Sequence, residues 1–383
     1  SKGVLATRLQ DVAEHLDVAY TALYHYFPGR DRLAEEVLLW RLEKRHQLLT
    51  EVSGESALVK LLSFFKRELT EDRDYQVRFP PFSALPEENR HALIAKRNVL
   101  LAELTSLIDE GVSEGSVRTC HSLTVANAVL GIIERFVYFD DAVSARMRQM
   151  AVKRVVSEMT TILEEGILRD RSFVPRPSYI IEQGKELLSY DPSMDPELER
   201  LESILRVATR RFNIEGAAAS IPKIAEELGV SKTVIYRYVL DKQELLFQCY
   251  LRGVSVVEIS HRIASDTGRD PLDEILIHRH GLYRYHDSEV GPFTFISARG
   301  FLHPSQQRVV ALRNRAVRRM SEVRMQRGIN AGQIRSDIDA EVVQPMFGQI
   351  LYTLPTWYSD DYPLTIEEVC SQTGNVLFQG LKR

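Results

Sequence analysis

A short stretch of sequence occurs twice in this chain, in nearly the same form and far apart. "VAEHLDVAYTALYHYFPGRDRLA" occupies residues 12–34, and "IAEELGVSKTVIYRYVLDKQELL" occupies residues 224–246. Each copy of a repeated sequence is expected to form the same supersecondary unit. The repeat therefore predicts two similar structural units, each containing one copy of the doubled stretch.

The resemblance between the two halves continues downstream in a looser form. "LIDEGVSEGSVR" at 107–118 resembles "QRGINAGQIR" at 326–335, and the tails "EEGIL" and "FQGLK" follow at 164–168 and 378–382. These features appear in the same order in both halves. We interpret the chain as a unit that was duplicated and then diverged.

Nearly all of the chain has the periodicity of amphipathic helices. Apolar residues recur at spacings of three and four, as at Leu58, Leu61 and Leu62, and period-two alternation is scarce. Prolines interrupt this pattern within "RDRSFVPRP" and "YDPSMDP", where no continuous helix is expected. We expect an all-α fold of two units, with a proline-containing linker between them.

Composition restricts the class of protein. The chain has 383 residues, of which 44% are hydrophobic and 27% charged, as in globular proteins with more than one domain. The net charge of −4 argues against binding a polyanion by bulk electrostatics, so any contact with nucleic acid must come from a local patch. The three cysteines show no C-x-x-C spacing, and the N-terminus shows no signal-peptide pattern. We expect a cytoplasmic protein.

The second copy has the pattern of a helix, a tight turn and a second helix. Ser220 is placed to cap the first helix, Gly229 supplies a left-handed turn, and Ser231 is placed to cap the second helix. On the second helix, Ile235 and Val239 share one face and are predicted to enter a small core. The opposite face is left to solvent, where it can contact base edges and phosphates in a major groove. That face carries Lys232, Thr233, Tyr236 and Arg237.

On these residues the second copy resembles the DNA-binding domain of the TetR family of bacterial transcriptional regulators. "ILRVATRRFNIEG" matches the family's first helix, "IAEELGVSKTVIYRY" its helix-turn-helix, and a lysine with "ELL" opens its long fourth helix. Without the resemblance, an ordinary helical hairpin with a solvated polar face would explain the pattern. The resemblance implies that the exposed face reads DNA and that Ser220, Tyr238 and Lys242 bind phosphates.

The first copy resembles the same family but departs from its pattern at three positions. Asp17 occupies the place of the turn glycine, Ala19 replaces the capping hydroxyl, and Tyr20 stands where a cation or glutamine is commoner. The sequence also opens where the family's first helix should be ending, so we expect the full-length chain to extend beyond Ser1. The resemblance implies DNA binding by this copy through Tyr20, Thr21, Tyr24, His25, Tyr26 and Arg30.

Domain boundaries follow from the repeat, the prolines and the resemblance. Each half is expected to hold a DNA-binding domain followed by a helical ligand-binding and dimerisation domain. The expected ranges are 1–50 and 51–170 in the first half, 171–196 for the linker, and 197–246 and 247–383 in the second half. In the family the last two helices of a unit form the dimer interface, and their expected positions are 123–139, 146–167, 341–357 and 365–381.

The family's ligand pocket predicts an effector site in each half. In the second half, whose predicted ligand-binding domain is richer in Tyr, Trp and His, we expect an apolar or aromatic effector with a polar group, of unknown identity. Aromatic residues at helical spacing usually belong to a core, and that alternative stays open. The candidate residues are Phe64 and Phe136 in the first half and Tyr283, Phe301 and Trp357 in the second.

No motif for catalysis or metal binding appears in the sequence. His278 and His280 point about 200° apart on a helix and cannot both bind one ion. There is no phosphate-binding loop, nucleophile elbow or H-E-x-x-H motif. We therefore predict no catalytic residue, no metal and no cofactor, and we do not expect an enzyme.

Three functional hypotheses remain open. The first is a ligand-responsive repressor that binds a double-stranded DNA operator of imperfect palindromic form through two unlike recognition helices. Its halves would pair within one chain as a pseudo-dimer, although pairing of like halves between chains is an alternative. The second hypothesis is a regulator whose N-terminal head is only a scaffold. The third is a ligand- or protein-binding module whose heads do not bind DNA. No membrane partner is expected.

Overall fold

Helices account for the regular secondary structure of the described residues, apart from two isolated bridges. This confirms the all-α prediction. None of these helices is both long enough and apolar enough to cross a membrane. The chain divides into unit 1, with residues 1–164 and 381–383, and unit 2, with residues 165–380. The structure is a computed structural model, and it describes residues 7–70, 82, 85–136, 152–182, 184–188, 195–216, 219–293 and 301–383.

Unit 1 begins with two short helices and continues with longer ones. Its helices are α1 (Leu9–Leu16), α2 (Tyr20–Tyr26), α3 (Arg30–Glu51), α4 (Ala57–Thr70), α5 (Glu87–Glu114), α6 (Ser122–Phe136) and α7 (Val152–Glu165). Helices α3 to α6 pack on one another. Each buries a stripe of apolar side chains at helical spacing, such as Leu38 and Leu42 on α3, so their polar faces remain in water.

Unit 2 contains two separate apolar cores. Its helices are α8 (Pro196–Glu215), α9 (Ile221–Glu227), α10 (Lys232–Tyr236), α11 (Lys242–Thr267), α12 (Pro271–Asp287), α13 (Pro304–Asn330), α14 (Ala340–Thr353) and α15 (Ile366–Phe378). The head core lies among α8, α9, α10 and the start of α11, with Val310 of α13 also in it, and it includes Phe212 and Ile224. The body core includes Ile277 on α12 and Val369 on α15. A helix-turn-helix head therefore precedes a larger helical body.

The stretches predicted as interface helices consist mainly of helix where they are described. They correspond to α6 and α7 in unit 1 and to α14 and α15 in unit 2. Residues 137–139 and 146–151, which belong to two of the predicted stretches, lie outside the described residues. Whether these helices form a dimer interface stays a prediction.

The segment predicted as a linker packs within unit 2 where it is described. The N–H of Ser178 donates to Oδ1 of Asp273 at 2.8 Å, and the side chains of Ile181 and Leu187 are fully buried. Gly184 packs closely against Ser288, because a Cβ added to Gly184 would lie 2.1 Å from the Ser288 Oγ. Residues 171–182 and 184–188 are thus part of a folded unit.

Unit 1 includes the tail of the second sequence half. Lys382 forms an antiparallel bridge with Val117. The N–H of Arg118 donates to the Leu381 carbonyl at 2.8 Å, and the N–H of Leu381 donates to the Leu163 carbonyl at 2.9 Å. The Leu381 side chain is 1% exposed, so the tail is bound by apolar contact as well as by hydrogen bonds.

Unit 2 includes the tail of the first sequence half, bound in the same way. Leu168 forms an antiparallel bridge with Ile334. The N–H of Arg335 donates to the Ile167 carbonyl at 2.9 Å, and the N–H of Ile167 donates to the Leu377 carbonyl at 2.9 Å. When the two tails of the repeat are aligned, the same positions are bonded in both units. Each unit is therefore completed by a tail from the other half of the sequence.

Candidate nucleic-acid interface

The turn of the C-terminal helix-turn-helix follows the sequence prediction except at one cap. Ser220 caps α9, its Oγ accepting the Lys223 N–H at 3.5 Å. Gly229 has a φ of 65°, and nothing lies within 4 Å of where its Cβ would be, so backbone conformation alone favours glycine here. Ser231 occupies the cap position of α10, but its side chain makes no capping hydrogen bond. The prediction that Ser231 caps this helix is wrong, because its exposed hydroxyl does not turn back to the helix.

The two faces of α10 are divided as the helical spacing predicts. Ile235 is fully buried, and Val239, just beyond the helix, is 3% exposed; both belong to the head core. The opposite face is exposed and carries Lys232, Thr233, Tyr236 and Arg237. This face offers an ammonium, a hydroxyl, a phenol and a guanidinium to a groove.

Glu197, in the first turn of α8, lies beside the end of the recognition helix. Its carboxylate accepts a hydrogen bond from the Tyr238 hydroxyl and lies 3.8 Å from the Arg237 guanidinium. The hydrogen bond raises the pKa of the Tyr238 phenol. Glu197 was not predicted from the sequence, because it is 41 residues from Tyr238 and belongs to no motif.

The three residues predicted to bind phosphates differ in their present partners. The Ser220 oxygen accepts the capping hydrogen bond of α9, which leaves its hydroxyl hydrogen available to donate. The Tyr238 hydroxyl donates to Glu197. Lys242 is exposed at the first residue of α11, directly after the capping residue Asp241. All three groups lie around the ends of the two helices of the motif.

The N-terminal helix-turn-helix has the same turn but a thinner core. Asp17 has a φ of 54°, the left-handed conformation expected at the glycine position. Helix α2 has no buried side chain, and Leu16 and Val18 are 57% and 45% exposed. The equivalent residues Leu228 and Val230 pack against the head core in unit 2.

Every residue predicted to contact DNA in the N-terminal head is exposed. The rings of Tyr20 and Tyr24 lie side by side with centroids 5.9 Å apart, and His25 meets Tyr26 edge-on at 5.6 Å. The Arg30 guanidinium pairs with the neighbouring Asp31 at 2.6 Å. The exposed set is Tyr20, Thr21, Tyr24, His25, Tyr26 and Arg30. The helix itself therefore presents mainly aromatic groups.

A buried polar network joins the head of unit 2 to its body. The Arg252 side chain on α11 pairs with Glu202 on α8, and its Nη1 donates to the Tyr285 hydroxyl on α12 at 2.6 Å. Asn213 on α8 donates to the Phe293 carbonyl at 2.6 Å. These contacts connect the DNA-binding helices to the region where an effector site is predicted.

The predicted effector residues do not form one cluster. Phe64 and Phe136 are buried in unit 1, at 0% and 4% exposure. In unit 2, Phe301 packs against the head core, whereas Tyr283 and Trp357 belong to the body core. The Tyr283 hydroxyl is 2.9 Å from Nη2 of Arg279, which donates to it. The structure therefore does not bring Phe301 together with Tyr283 and Trp357.

An open groove of about 730 Å³ lies elsewhere in unit 2. Its apolar lining includes Leu168, Phe173 and Leu272, and Arg169 and Arg176 also border it. None of the five predicted aromatic residues lines this groove. The predicted linker contributes part of the lining, which the sequence analysis did not anticipate.

The two histidines considered as metal ligands have other surroundings. The His278 ring stacks on His261 with centroids 3.7 Å apart, and its Nδ1 lies 2.9 Å from the Ser260 Oγ. His280 is buried separately on α12. Within the described ranges, no three His, Cys, Asp or Glu side chains are arranged to bind a metal ion.

Arg324 on α13 organises the environment of the stacked histidines. It donates to Nδ1 of His261 at 2.5 Å and pairs with Glu274 at 2.8 Å. Because arginine can only donate, Nδ1 of His261 accepts, and the Nε2 hydrogen is left for Ser321 at 3.1 Å. Burial, and then the charge of Arg324, lowers the pKa of His261 to about 3. The ring is therefore neutral in the folded protein at neutral pH.

Several known proteins resemble parts of this chain. The chain is 26% identical over 171 residues to the uncharacterized HTH-type transcriptional regulator Rv0472c of Mycobacterium tuberculosis (strain ATCC 25618 / H37Rv), covering 43% of this chain and 70% of that protein. It is 21% identical over 193 residues to the HTH-type transcriptional repressor KstR2 of Mycolicibacterium smegmatis, covering 48% of this chain and 90% of the repressor. The solved structure of the TetR family transcriptional regulator PfmR from Thermus thermophilus has a TM-score of 0.42 and 23% identity, covering 47% of this chain and 99% of that one.

Sequence models of protein families match both halves of the chain. The family described as "Bacterial regulatory proteins, tetR family" matches twice, at residues 1–37 and 204–249. The family described as "Tetracyclin repressor-like, C-terminal domain" matches residues 274–381. Both copies of the doubled stretch fall within the first of these families. These matches show that the chain belongs to the TetR family of transcriptional regulators.

Proposed function

We propose that this chain is a ligand-responsive repressor that reads one operator with two unlike recognition helices. The observation that carries the proposal is the double match to the family's DNA-binding domain, at 1–37 and 204–249, with an exposed helix face in each. The relative KstR2 is a repressor by name, and we extend that role to this chain. The operator is an imperfect palindrome because its two readers differ.

We further propose that the two halves of one chain pair as the two subunits of an ordinary family dimer do. The two tails support this arrangement. The bridge between Val117 and Lys382 joins the same two repeat positions as the bridge between Ile334 and Leu168. The relative KstR2 supports it as well, since 90% of that repressor is matched by less than half of this chain. Such a pseudo-dimer presents its helices about one DNA turn apart, roughly 34–36 Å.

A second candidate is a regulator whose N-terminal head does not bind DNA. It is favoured by Ala19, which replaces the capping hydroxyl, and by Tyr20, which stands where the C-terminal head has the cation Lys232. A recognition helix with fewer cations neutralises fewer phosphates, so it binds DNA more weakly. This candidate predicts a single half-site per chain.

Selection from a randomised duplex library tests these arrangements. The purified chain is mixed with the library, bound duplexes are sequenced, and the mass of the complex is recorded. A site with two unlike halves bound by one chain supports the proposal. A symmetric site bound by two chains supports the single-head candidate with pairing between chains. Absence of any enriched sequence overturns DNA reading and favours a ligand- or protein-binding module.

Two equivalent substitutions assign the heads to their half-sites. Arg237 and His25 occupy the same repeat position on the two exposed faces. Arg237→Ala should weaken binding by about 1–3 kcal/mol and relax preference at one base pair of its own half-site. His25→Ala should affect only the other half-site. If His25→Ala leaves binding to every duplex unchanged, the N-terminal head does not read DNA.

For the effector, we propose a binding site beside Trp357 in unit 2. Nε1 of Trp357 is buried and has no hydrogen-bond partner, so it is a donor available to a ligand. An apolar or aromatic molecule with a hydrogen-bond acceptor fits this chemistry. The chain has only two tryptophans, Trp40 and Trp357, so ligand binding is measurable by fluorescence. A ligand that changes emission of the natural chain but not of Trp357→Phe supports this site, and an unchanged response in that variant excludes it.

A further inference from the structure

Two of the four aligned positions predicted to form the recognition face differ between the two heads. Both helices carry an exposed threonine and an exposed tyrosine at the same places, which are Thr21 and Tyr24 in α2. The differences are Tyr20 where the C-terminal head has Lys232, and His25 where it has Arg237. Two side chains in each head therefore determine whether the half-sites are alike.

The C-terminal head has the chemistry that recognises guanine. Lys232 is exposed at the first residue of α10 and has no carboxylate partner among the described residues. Arg237 lies 3.8 Å from Glu197, and its side chain is 66% exposed, so this pair is loose. Arginine and lysine donate to O6 and N7 of guanine, which is the commonest specific contact in the major groove. Neither cation has an equivalent on α2.

The N-terminal head has the chemistry that recognises thymine. Tyr20 and Tyr24 place two rings side by side, 5.9 Å between centroids, on a helix that buries none of its side chains. Both rings are nearly half exposed, at 46% and 49%. Only thymine presents a methyl group in the major groove, and apolar side chains detect it by contact. The Thr21 methyl lies on the same exposed helix.

We propose that the two half-sites of the operator differ in base identity, with guanine read by Lys232 and Arg237 in one and a thymine methyl group read by Tyr20 in the other. Tyr24 does not distinguish the half-sites, because Tyr236 is equally exposed at the same position of the C-terminal head. This inference rests on the proposed two-headed function. It goes beyond that function because it states which bases each head requires and which side chains impose the requirement. It also predicts that the half-sites become alike when Tyr20 and His25 are changed to the cations of the other head.

Base analogues test the proposal on the natural chain. In the selected duplex, uracil replaces thymine in one half-site at a time, which removes only the methyl group. We expect a loss of about fourfold per contacted methyl in the N-terminal half-site, since burying a CH₂ or CH₃ group is worth about 0.8 kcal/mol. Replacing guanine by 7-deazaguanine should weaken binding by about tenfold in the C-terminal half-site only. The opposite pattern of losses overturns the assignment.

Exchange of the two differing residues provides the second test. The double variant Tyr20→Lys with His25→Arg changes exposed side chains only, so its fold is expected to be retained. Library selection should then return a nearly symmetric site with guanine in both halves. Retention of the original unlike halves overturns this inference while leaving the two-headed function in place. Failure of the natural chain to select a bipartite site overturns the two-headed function itself.

Discussion

Nε of Arg252 lies 2.8 and 2.9 Å from the two carboxylate oxygens of Glu202, in the interior of unit 2. Arg252 belongs to α11 and Glu202 to α8, so this pair holds the first helix of the head against the long helix that leads into the body. The same guanidinium donates to Tyr285 on α12. A shift of α12 on effector binding would therefore act directly on the position of the head.

Substituting Arg252 by methionine should destabilise unit 2 strongly. The change leaves the Glu202 carboxylate without its partner, and breaking a buried ion pair costs about 3–5 kcal/mol. Urea unfolding monitored by circular dichroism measures this loss. The matched control is Arg313→Met, because the Arg313 and Glu258 side chains are about one-third exposed. That control should lose no more than about 1 kcal/mol, and equal losses in the two variants would contradict the prediction.

Acid should destabilise unit 2 through the stacked histidines. An unfolded histidine takes up its proton near pH 6.5, whereas burial and the adjacent Arg324 lower the pKa of folded His261 to about 3. Between these values the unfolded state binds more protons, so the free energy of unfolding falls as the pH falls. The expected slope is about 1.4 kcal/mol per pH unit for each such histidine.

Unfolding in urea at a series of pH values between 7.5 and 5 measures this slope. Burial also lowers the pKa of His278, whose ring stacks on His261, so the two histidines contribute together. The variant His261→Gln removes one titrating group and should show a shallower dependence. A slope identical to that of the natural chain would show that His261 does not titrate differently on folding.

Exchanging the turn residues of the two heads should have opposite effects. Asp17 and Gly229 hold the same left-handed conformation at equivalent positions, with φ of 54° and 65°. Asp17→Gly removes a conformational strain and should stabilise the turn between α1 and α2 by about 0.5–1 kcal/mol. Gly229→Asp should destabilise the other turn by a similar amount. Amide hydrogen exchange in the flanking helices reports each effect, and changes of the same sign would refute this account.

Neutralising Glu197 should strengthen DNA binding. Its carboxylate accepts a hydrogen bond from the Tyr238 hydroxyl and lies near Arg237. Both of these residues are on the proposed DNA surface. Glu197→Gln should raise affinity about twofold to tenfold at low salt, because a negative charge beside the phosphates is removed. Glu199→Gln removes the same charge from the same helix turn without touching Tyr238, and should have a smaller effect. Weaker binding by Glu197→Gln would instead make Glu197 a residue that positions Arg237.

Truncating a buried tail residue should destabilise the unit that contains it. Leu381 in unit 1 and Ile167 in unit 2 are equivalent tail positions with exposures of 1% and 0%. Leu381→Ala and Ile167→Ala should each cost about 2–5 kcal/mol. Hydrogen exchange resolved by residue shows which unit loses protection. Loss of protection in unit 2 from Leu381→Ala, with unit 1 unaffected, would be inconsistent with the tail assignment.

Features fixed by local sequence were predictable in this protein. Gly229 and Asp17 fall where a tight turn requires a left-handed residue, and Ile235 falls on the buried face of α10. These predictions need only chain geometry over a few residues. The absence of a capping bond at Ser231 shows the limit even at this scale, since a hydroxyl at the cap position has other directions available.

Features that depend on distant parts of the chain were not predictable. The contact of Glu197 with Tyr238, the pair of Arg252 with Glu202, and the packing of Ile181 all join residues far apart in sequence. No periodicity or spacing signals such pairs. The helical spacing of aromatic residues also could not tell a pocket residue from a core residue. Phe64, which is fully buried, has the same apolar ring in either place.

Because each tail is bound in the unit formed by the other sequence half, completion of unit 1 depends on when its tail is synthesised. Unit 1 contains residues 1–164, yet Leu381 and Lys382 also belong to it, and they are made only after the whole of unit 2. At about 5–20 residues per second, the ribosome needs on the order of ten to forty seconds for that intervening stretch. During this interval the Arg118 N–H and the Leu163 carbonyl, which will bond to Leu381, have no partner from the tail. The first half of the protein thus reaches its final form only when the second half has been translated.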